Sequence, residues 1–148
     1  MDLSPKMMDT AKEKFLNGAP SVATSLDYLY SKDMVSFVIG DVNKLSSLLN
    51  GKKFDTIVDT FSLCIFPEPS VALRQERESS APRGKMLLLE HQDSIIGKVL
   101  NLAHYIAADV INTCSYDDNV LELLKSAGFN YLSYTSFAGG FLLEVVTR

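Results

Sequence analysis

The chain has only two cysteines in 148 residues, Cys64 and Cys114, fifty residues apart and with no metal-ligand motif around either. That scarcity excludes a disulfide-dense scaffold and a sequence-coded metal site, and both side chains read as free thiols of a reducing compartment, Cys64 as a buried core thiol. Charge of one sign is also lacking. With 14 Lys and Arg against 18 Asp and Glu, the net charge is −4 and no basic stripe forms, so nucleic acid is not an expected partner. Nor is there a run of about 20 apolar residues to span a bilayer. The longest greasy segment, 95–111, is broken by Lys98, Asn101, His104 and Asp109. Met1-Asp2-Leu3-Ser4-Pro5 carries neither the charged region nor the apolar core of a targeting peptide, which makes an intracellular protein, cytoplasmic by default, the expectation.

What is present is enough apolar material, 47%, for one core, and the length suits a single domain over 1–148. Ser4 as N-cap and Pro5 at the first helical position open a helix that carries Met8, Ala11 and Phe15 at helical spacing and stops near Asn17-Gly18. A second helical stretch covers about 21–30. Val35-Ser36-Phe37-Val38-Ile39 reads as a short strand ending at Gly40-Asp41, and 42–50 as a helical turn. The run from Phe54 to Phe66 is β-branched and apolar, closed by Pro67 and Pro69, and predicts a buried central strand.

A mostly polar helix with a thin apolar face follows over 69–79, then a Pro82-Arg83-Gly84 turn and a strand over Lys85–Glu90. Ser94 caps a long helix, 95–111, with Ile95, Val99, Ala103, Ile106 and Val110 on one face. Another helix begins near Asp117 or Asp118 and ends at Ala127-Gly128-Phe129, where glycine suits the left-handed position after a helix and Phe129 folds back. Residues 131–137 and 141–147 alternate at period two around Ala138-Gly139-Gly140, a closing antiparallel hairpin. Helices between apolar strands give an α/β class with a mostly parallel sheet and an antiparallel C-terminal hairpin.

Three acids follow places where strands should end: Asp2, Asp41 and Asp59. A carboxylate at such a crevice accepts hydrogen bonds from ribose hydroxyls or an exocyclic amine. Each also has a local reading: Asp2 as a charge favoured by a helix dipole, Asp41 as a turn former after Gly40, Asp59 as a polar strand terminus. His91, at a strand exit, suits a general base near neutral pH, or else a loop histidine bonded to Glu90 or a helix N-terminus. His104 reads as a packing residue, and Tyr105 and Tyr116 as candidate pocket walls.

Asp2-Leu3-Ser4-Pro5-Lys6-Met7-Met8, Gly40-Asp41-Val42, Phe54-Asp55-Thr56-Ile57-Val58 and Pro82-Arg83-Gly84-Lys85-Met86-Leu87-Leu88-Leu89-Glu90-His91 together resemble successive motifs of the class I S-adenosylmethionine-dependent methyltransferases. The type 11 group, with the ubiquinone and menaquinone biosynthesis enzymes and small membrane-associated methyltransferase-like proteins, is the most similar branch. The resemblance implies a Rossmann-like sheet and S-adenosylmethionine as cofactor, with Asp2 and Leu3 at the ribose, Asp41 and Val42 at the adenine and Thr60 near the methionine part. It also implies His91 at the mouth of the acceptor pocket, the 95–111 helix covering it, and a small, apolar acceptor. No metal is implied. A full-length product would be mitochondrial or membrane-associated, with peripheral membrane contact.

One departure bears on all of this. In the family a strand and its Gly-rich loop come before the acid that ends the second strand, whereas here only Met1 precedes Asp2. The resemblance therefore implies a sheet truncated at its N-terminus, with strand 1 and most of strand 2 missing from the family order 3-2-1-4-5-7-6. Strand 3 would pair with strand 4, a partner chain or oligomer would complete the sheet, or the chain is a fragment. Without the loop the cofactor would be held weakly or not at all. The alternative function is a remnant acting as an interaction partner. A nicotinamide-binding domain shares the ribose acid but fits the hairpin less well. The segment before Pro82 also lacks the family's apolar helix end and Pro-Gly-Gly turn, which predicts a poorly anchored helix there.

Overall fold

The computed structural model describes residues 1–17, 35–106 and 119–147. The helix expected over 21–30, the far end of the 95–111 helix, its neighbour's start at Asp117 or Asp118, and the readings of Cys114 and Tyr116 lie outside those residues, as do the side chains of His104 and Tyr105. The chain forms two compact units, 1–44 and 45–148.

In the first unit, helix α1 (Pro5–Asn17) starts where the capping signals put it. Ser4 Oγ accepts the Met7 N–H at 3.3 Å, and Met8 is buried. The expected strand over 35–39 is reduced to a bridge. Ile39 pairs in parallel with Asp2, through Asp2 N–H to Val38 O at 3.2 Å and Gly40 N–H to Asp2 O at 3.0 Å.

The second unit is a four-stranded sheet with helices. A short helix, α2 (Leu45–Leu48), leads through a turn to β1 (Phe54–Thr60), then α3 (Pro69–Ser79) and β2 (Ser80–His91). Helices α4 (Ile95–Ile106) and α5 (Val120–Ser126) precede β3 (Tyr131–Phe137) and β4 (Leu142–Thr147). The order across the sheet is β1-β2-β4-β3, with β1 and β2 parallel and both β4 contacts antiparallel. That is the 4-5-7-6 half of the order implied by the resemblance. The last strand lies between β2 and β3, pairing with β3 as its hairpin partner and with the β2 edge on its other side.

Three expectations about the middle of the chain change. The β1 strand is not buried: β2 is its one sheet neighbour among the described residues, Val58 is 65% exposed, and only Asp59 along it is buried. β-branched composition reports a preference for pleated backbone, and burial depends on what lies on each face. The α3 helix, in turn, is well anchored. Ala72, Leu73, Glu76 and Ser79 recur at 0, 1, 4 and 7 positions, so even a polar helix presents one stripe inward, and Ala72 and Leu73 are fully buried. There is no separate turn at 82–84. Residues 81–84 are taken up by an irregularity of β2 opposite Asp55, where a Cβ on Gly84 would stand 2.8 Å from Phe54 O.

The core is Leu63, Leu73, Met86, Leu88, Val120, Leu124, Ala127, Phe129, Leu143 and Val145. Met86 and Leu88 alternate along β2, and Leu143 and Val145 along β4, which is the period-two pattern of the sequence. The α5 terminus closes as the glycine predicts: Gly128 has φ 86°, its N–H bonds Lys125 O and the Phe129 N–H bonds Leu124 O, both at 2.9 Å. Phe129 is thereby turned into the core beside Leu124.

Candidate functional site

The first unit brings two of the sequence-predicted acids together. The Asp2–Ile39 bridge sets Asp2 and Gly40-Asp41 at the ends of neighbouring parallel segments. Asp2 Oδ1 accepts the Ser4 N–H at 2.7 Å, and Asp41 Oδ1 accepts the Asn43 N–H at 2.9 Å. The turn-former reading of Asp41 is realised as an Asx turn, and Asp2 makes the same bond to the second residue on, ahead of α1. Neither use exhausts the carboxylate, because each has a second oxygen with no bond among the described residues. Next to Asp41, the side-chain oxygen of Asn43 is buried without a partner among the described residues. Spare acceptors at two adjacent strand ends match the hydroxyl and amine donors of a nucleoside. Leu3 is 70% exposed and Val42 is half-buried.

In the second unit the chemistry gathers at the carboxyl ends of β1 and β2. Thr60 is exposed at the last position of β1, paired with Leu89. Beyond it the chain turns sharply: Phe61 takes φ 55°, a left-handed conformation that a bulky side chain adopts only when its surroundings impose it. The surroundings here are explicit. The Phe61 N–H bonds Leu89 O at 2.9 Å, the Ser62 N–H bonds Glu90 Oε1 at 2.9 Å with the Leu63 N–H at 3.4 Å from the same oxygen, and Ser62 Oγ donates to Asp59 Oδ1.

Asp59, Glu76 and Glu90 form a buried acidic cluster, each under a tenth exposed. Burial raises the Asp59 pKa, against the lowering effect of its bonds from Ser62 and Thr60. Glu76 is pushed up to about 9, first by burial and then by the charges of Asp59 and Glu90. It is therefore protonated at neutral pH. Three carboxylates in one interior cannot all ionise, and the one with no hydrogen-bond donor aimed at it keeps its proton.

His91 is the last residue of β2, half-buried between two rings, with Phe61 and Phe141 centroids each 4.9 Å from its own. Burial lowers its pKa, so it is a neutral imidazole near neutral pH. It stands at the strand exit that the sequence expects. Cys64, expected as a buried free thiol, is half-buried and disulfide-bonded. No group of three or more His, Cys, Asp and Glu suited to a metal occurs among the described residues.

Glu76, Glu90 and Phe61 escaped the sequence reading. Glu90 was visible in principle, since 86, 88 and 90 share one face of a strand and the first two are core residues. Glu76 lies three positions after Leu73 on the same helical stripe. The backbone at Phe61 had no signal, because nothing in its side chain favours a positive φ.

No family model matches the chain. It is 32% identical over 116 residues to the mitochondrial methyltransferase OMS1 of Saccharomyces cerevisiae, a match covering 68% of this chain and 22% of that protein. The chain thus spans about a fifth of that relative's length. Among solved structures, the glycopeptide N-methyltransferase MtfA in complex with S-adenosyl-L-methionine superposes with a TM-score of 0.64 at 16% identity, over 99% of this chain and 69% of its own. The magnesium protoporphyrin IX methyltransferase ChlM of Synechocystis PCC 6803, with bound SAH, gives 0.62 at 16%, over 98% and 60%. These structures show the Rossmann-like fold alone, and the sequence relative shows that the chain belongs to the class I S-adenosylmethionine-dependent methyltransferases.

Proposed function

We propose that the chain is a single methyltransferase-like domain of the type 11 group that transfers a methyl group from S-adenosylmethionine to a small, apolar acceptor. The observation that carries the reading is the pairing of Asp2 with Ile39, which leaves spare acceptor atoms of Asp2, Asp41 and Asn43 at adjacent strand ends. In this reading Asp2 and Leu3 meet the ribose, Asp41 and Val42 the adenine, and Thr60 the methionine part. When bound, the cofactor supplies an electrophilic methyl on a sulfonium, so the protein's work is positioning and exclusion of water. His91 takes the proton of an acceptor hydroxyl or thiol through a ring nitrogen, and the Phe61 and Phe141 rings shield it from solvent.

The α4 helix covers the acceptor and touches a membrane surface, for which its exposed stripe of Ile95, Val99 and Leu102 gives the apolar contact. No helix among the described residues is long and apolar enough to cross a membrane. A mitochondrial location of the full-length product is supported by the printed name of the relative.

The test is calorimetric titration with S-adenosylhomocysteine. Saturable micromolar binding, weakened at least tenfold by Asp41→Ala, is expected. A second reading, a sheet segment that needs a partner chain to hold the cofactor, is favoured by β1, which has β2 as its one sheet neighbour among the described residues. No binding at millimolar ligand would select it.

A further inference from the structure

The Phe61–Leu63 turn combines an unfavourable backbone angle with an exposed apolar ring, and something must hold it. The Phe61 side chain is 42% exposed, so its own burial does not lock the conformation. The fixed point beneath it is Glu90, 1% exposed, on the same face of β2 as the core residues Met86 and Leu88. A carboxylate at that position costs desolvation energy that an apolar side chain would not. Its Oε1 returns the interaction by accepting the Ser62 N–H and approaching the Leu63 N–H, two successive backbone donors of the turn. Asp59 secures the same residue from the other side through Ser62 Oγ. Glu76 stays protonated within this cluster, and its neutrality lets Asp59 and Glu90 act as the acceptors.

We propose that Glu90 is the positioning residue of the loop after β1: by clamping the Ser62 and Leu63 amides it holds Phe61 in its left-handed conformation and seats the Phe61 ring on His91. Glu90 does not touch the reacting atoms. It acts through the loop, fixing the Phe61 ring that packs on the histidine and keeps it desolvated. The consequence for catalysis rests on the proposed role of His91 as base, while the clamp itself is a property of the ligand-free protein.

The experiment is amide hydrogen exchange and imidazole titration by NMR on the ligand-free chain and on Glu90→Gln and Glu90→Leu. Glutamine retains an acceptor oxygen at the same reach, and leucine suits the apolar face of Met86 and Leu88. In Glu90→Leu the Ser62 and Leu63 amides should exchange roughly 10- to 100-fold faster, and the His91 pKa should rise toward its ordinary value as the ring above it leaves. Glu90→Gln should stay within about threefold of the parent in exchange and keep the depressed histidine. If Glu90→Leu melts without cooperativity, Glu90→Asp, one methylene too short to reach both amides, takes its place with the same expected changes. Native protection and an unchanged His91 titration in the leucine or aspartate variant would overturn the clamp. Loss of S-adenosylhomocysteine binding in the parent would instead overturn the functional reading, and would leave the clamp to be decided by exchange alone.

Discussion

Replacing Glu76 by glutamine removes a titrating proton from the interior while keeping the shape of the side chain. In the folded protein its carboxyl titrates at about 9, against an ordinary 4.5, because burial and the neighbouring charges of Asp59 and Glu90 penalise the anion. Folding therefore takes up a proton at any pH between those values. The stability associated with the raised pKa is fully present below 4.5 and is lost as pH climbs toward 9. At about 1.4 kcal/mol per pH unit, the loss is about 3 kcal/mol by pH 7. Glu76→Gln escapes it.

The assay is urea unfolding of the parent and the variant at pH 4 to 8, read as the difference in unfolding free energy between them. That difference should grow in favour of glutamine by about 3 kcal/mol from pH 4 to pH 7, equivalent to roughly 6 to 12 °C in melting temperature for a chain this size. Because the comparison is between two proteins at each pH, the titration of other groups largely cancels. A difference flat to within about 0.5 kcal/mol across that range would refute the protonated Glu76 and with it the division of roles inside the acidic cluster.

Two further outcomes are expected. If His91 is the base, His91→Gln lowers kcat about 100- to 10,000-fold with little change in S-adenosylhomocysteine affinity, and the acid limb of the parent's rate profile falls below pH 6.5, since burial depresses the imidazole and the neutral form is the active one. Gly128→Ala destabilises by about 1 to 2 kcal/mol in thermal melts, chiefly through its φ of 86°, because the added Cβ meets only the movable end of Arg77.

Sequence alone determined the elements whose signal is local. The Ser4-Pro5 start of α1, the Gly128 closure of α5, the period-two hairpin of β3 and β4 and the family of the chain were all legible, because capping, left-handed glycine and alternation act within a few residues. It also marked Asp2 and Asp41, whose partnership needs only one parallel bridge between short segments.

Tertiary structure decided the rest. Whether β1 is buried depends on which strands flank it, and whether polar α3 is anchored depends on which of its faces meets the sheet. The fate of the three buried acids was hidden for the same reason. Asp59, Glu76 and Glu90 come from a strand, a helix and a second strand, and the charge each carries is set by desolvation and by donors that only the folded chain supplies. The strained turn at Phe61 is imposed by those contacts rather than by its own residue type, so no reading of the sequence could have placed a ring there against His91.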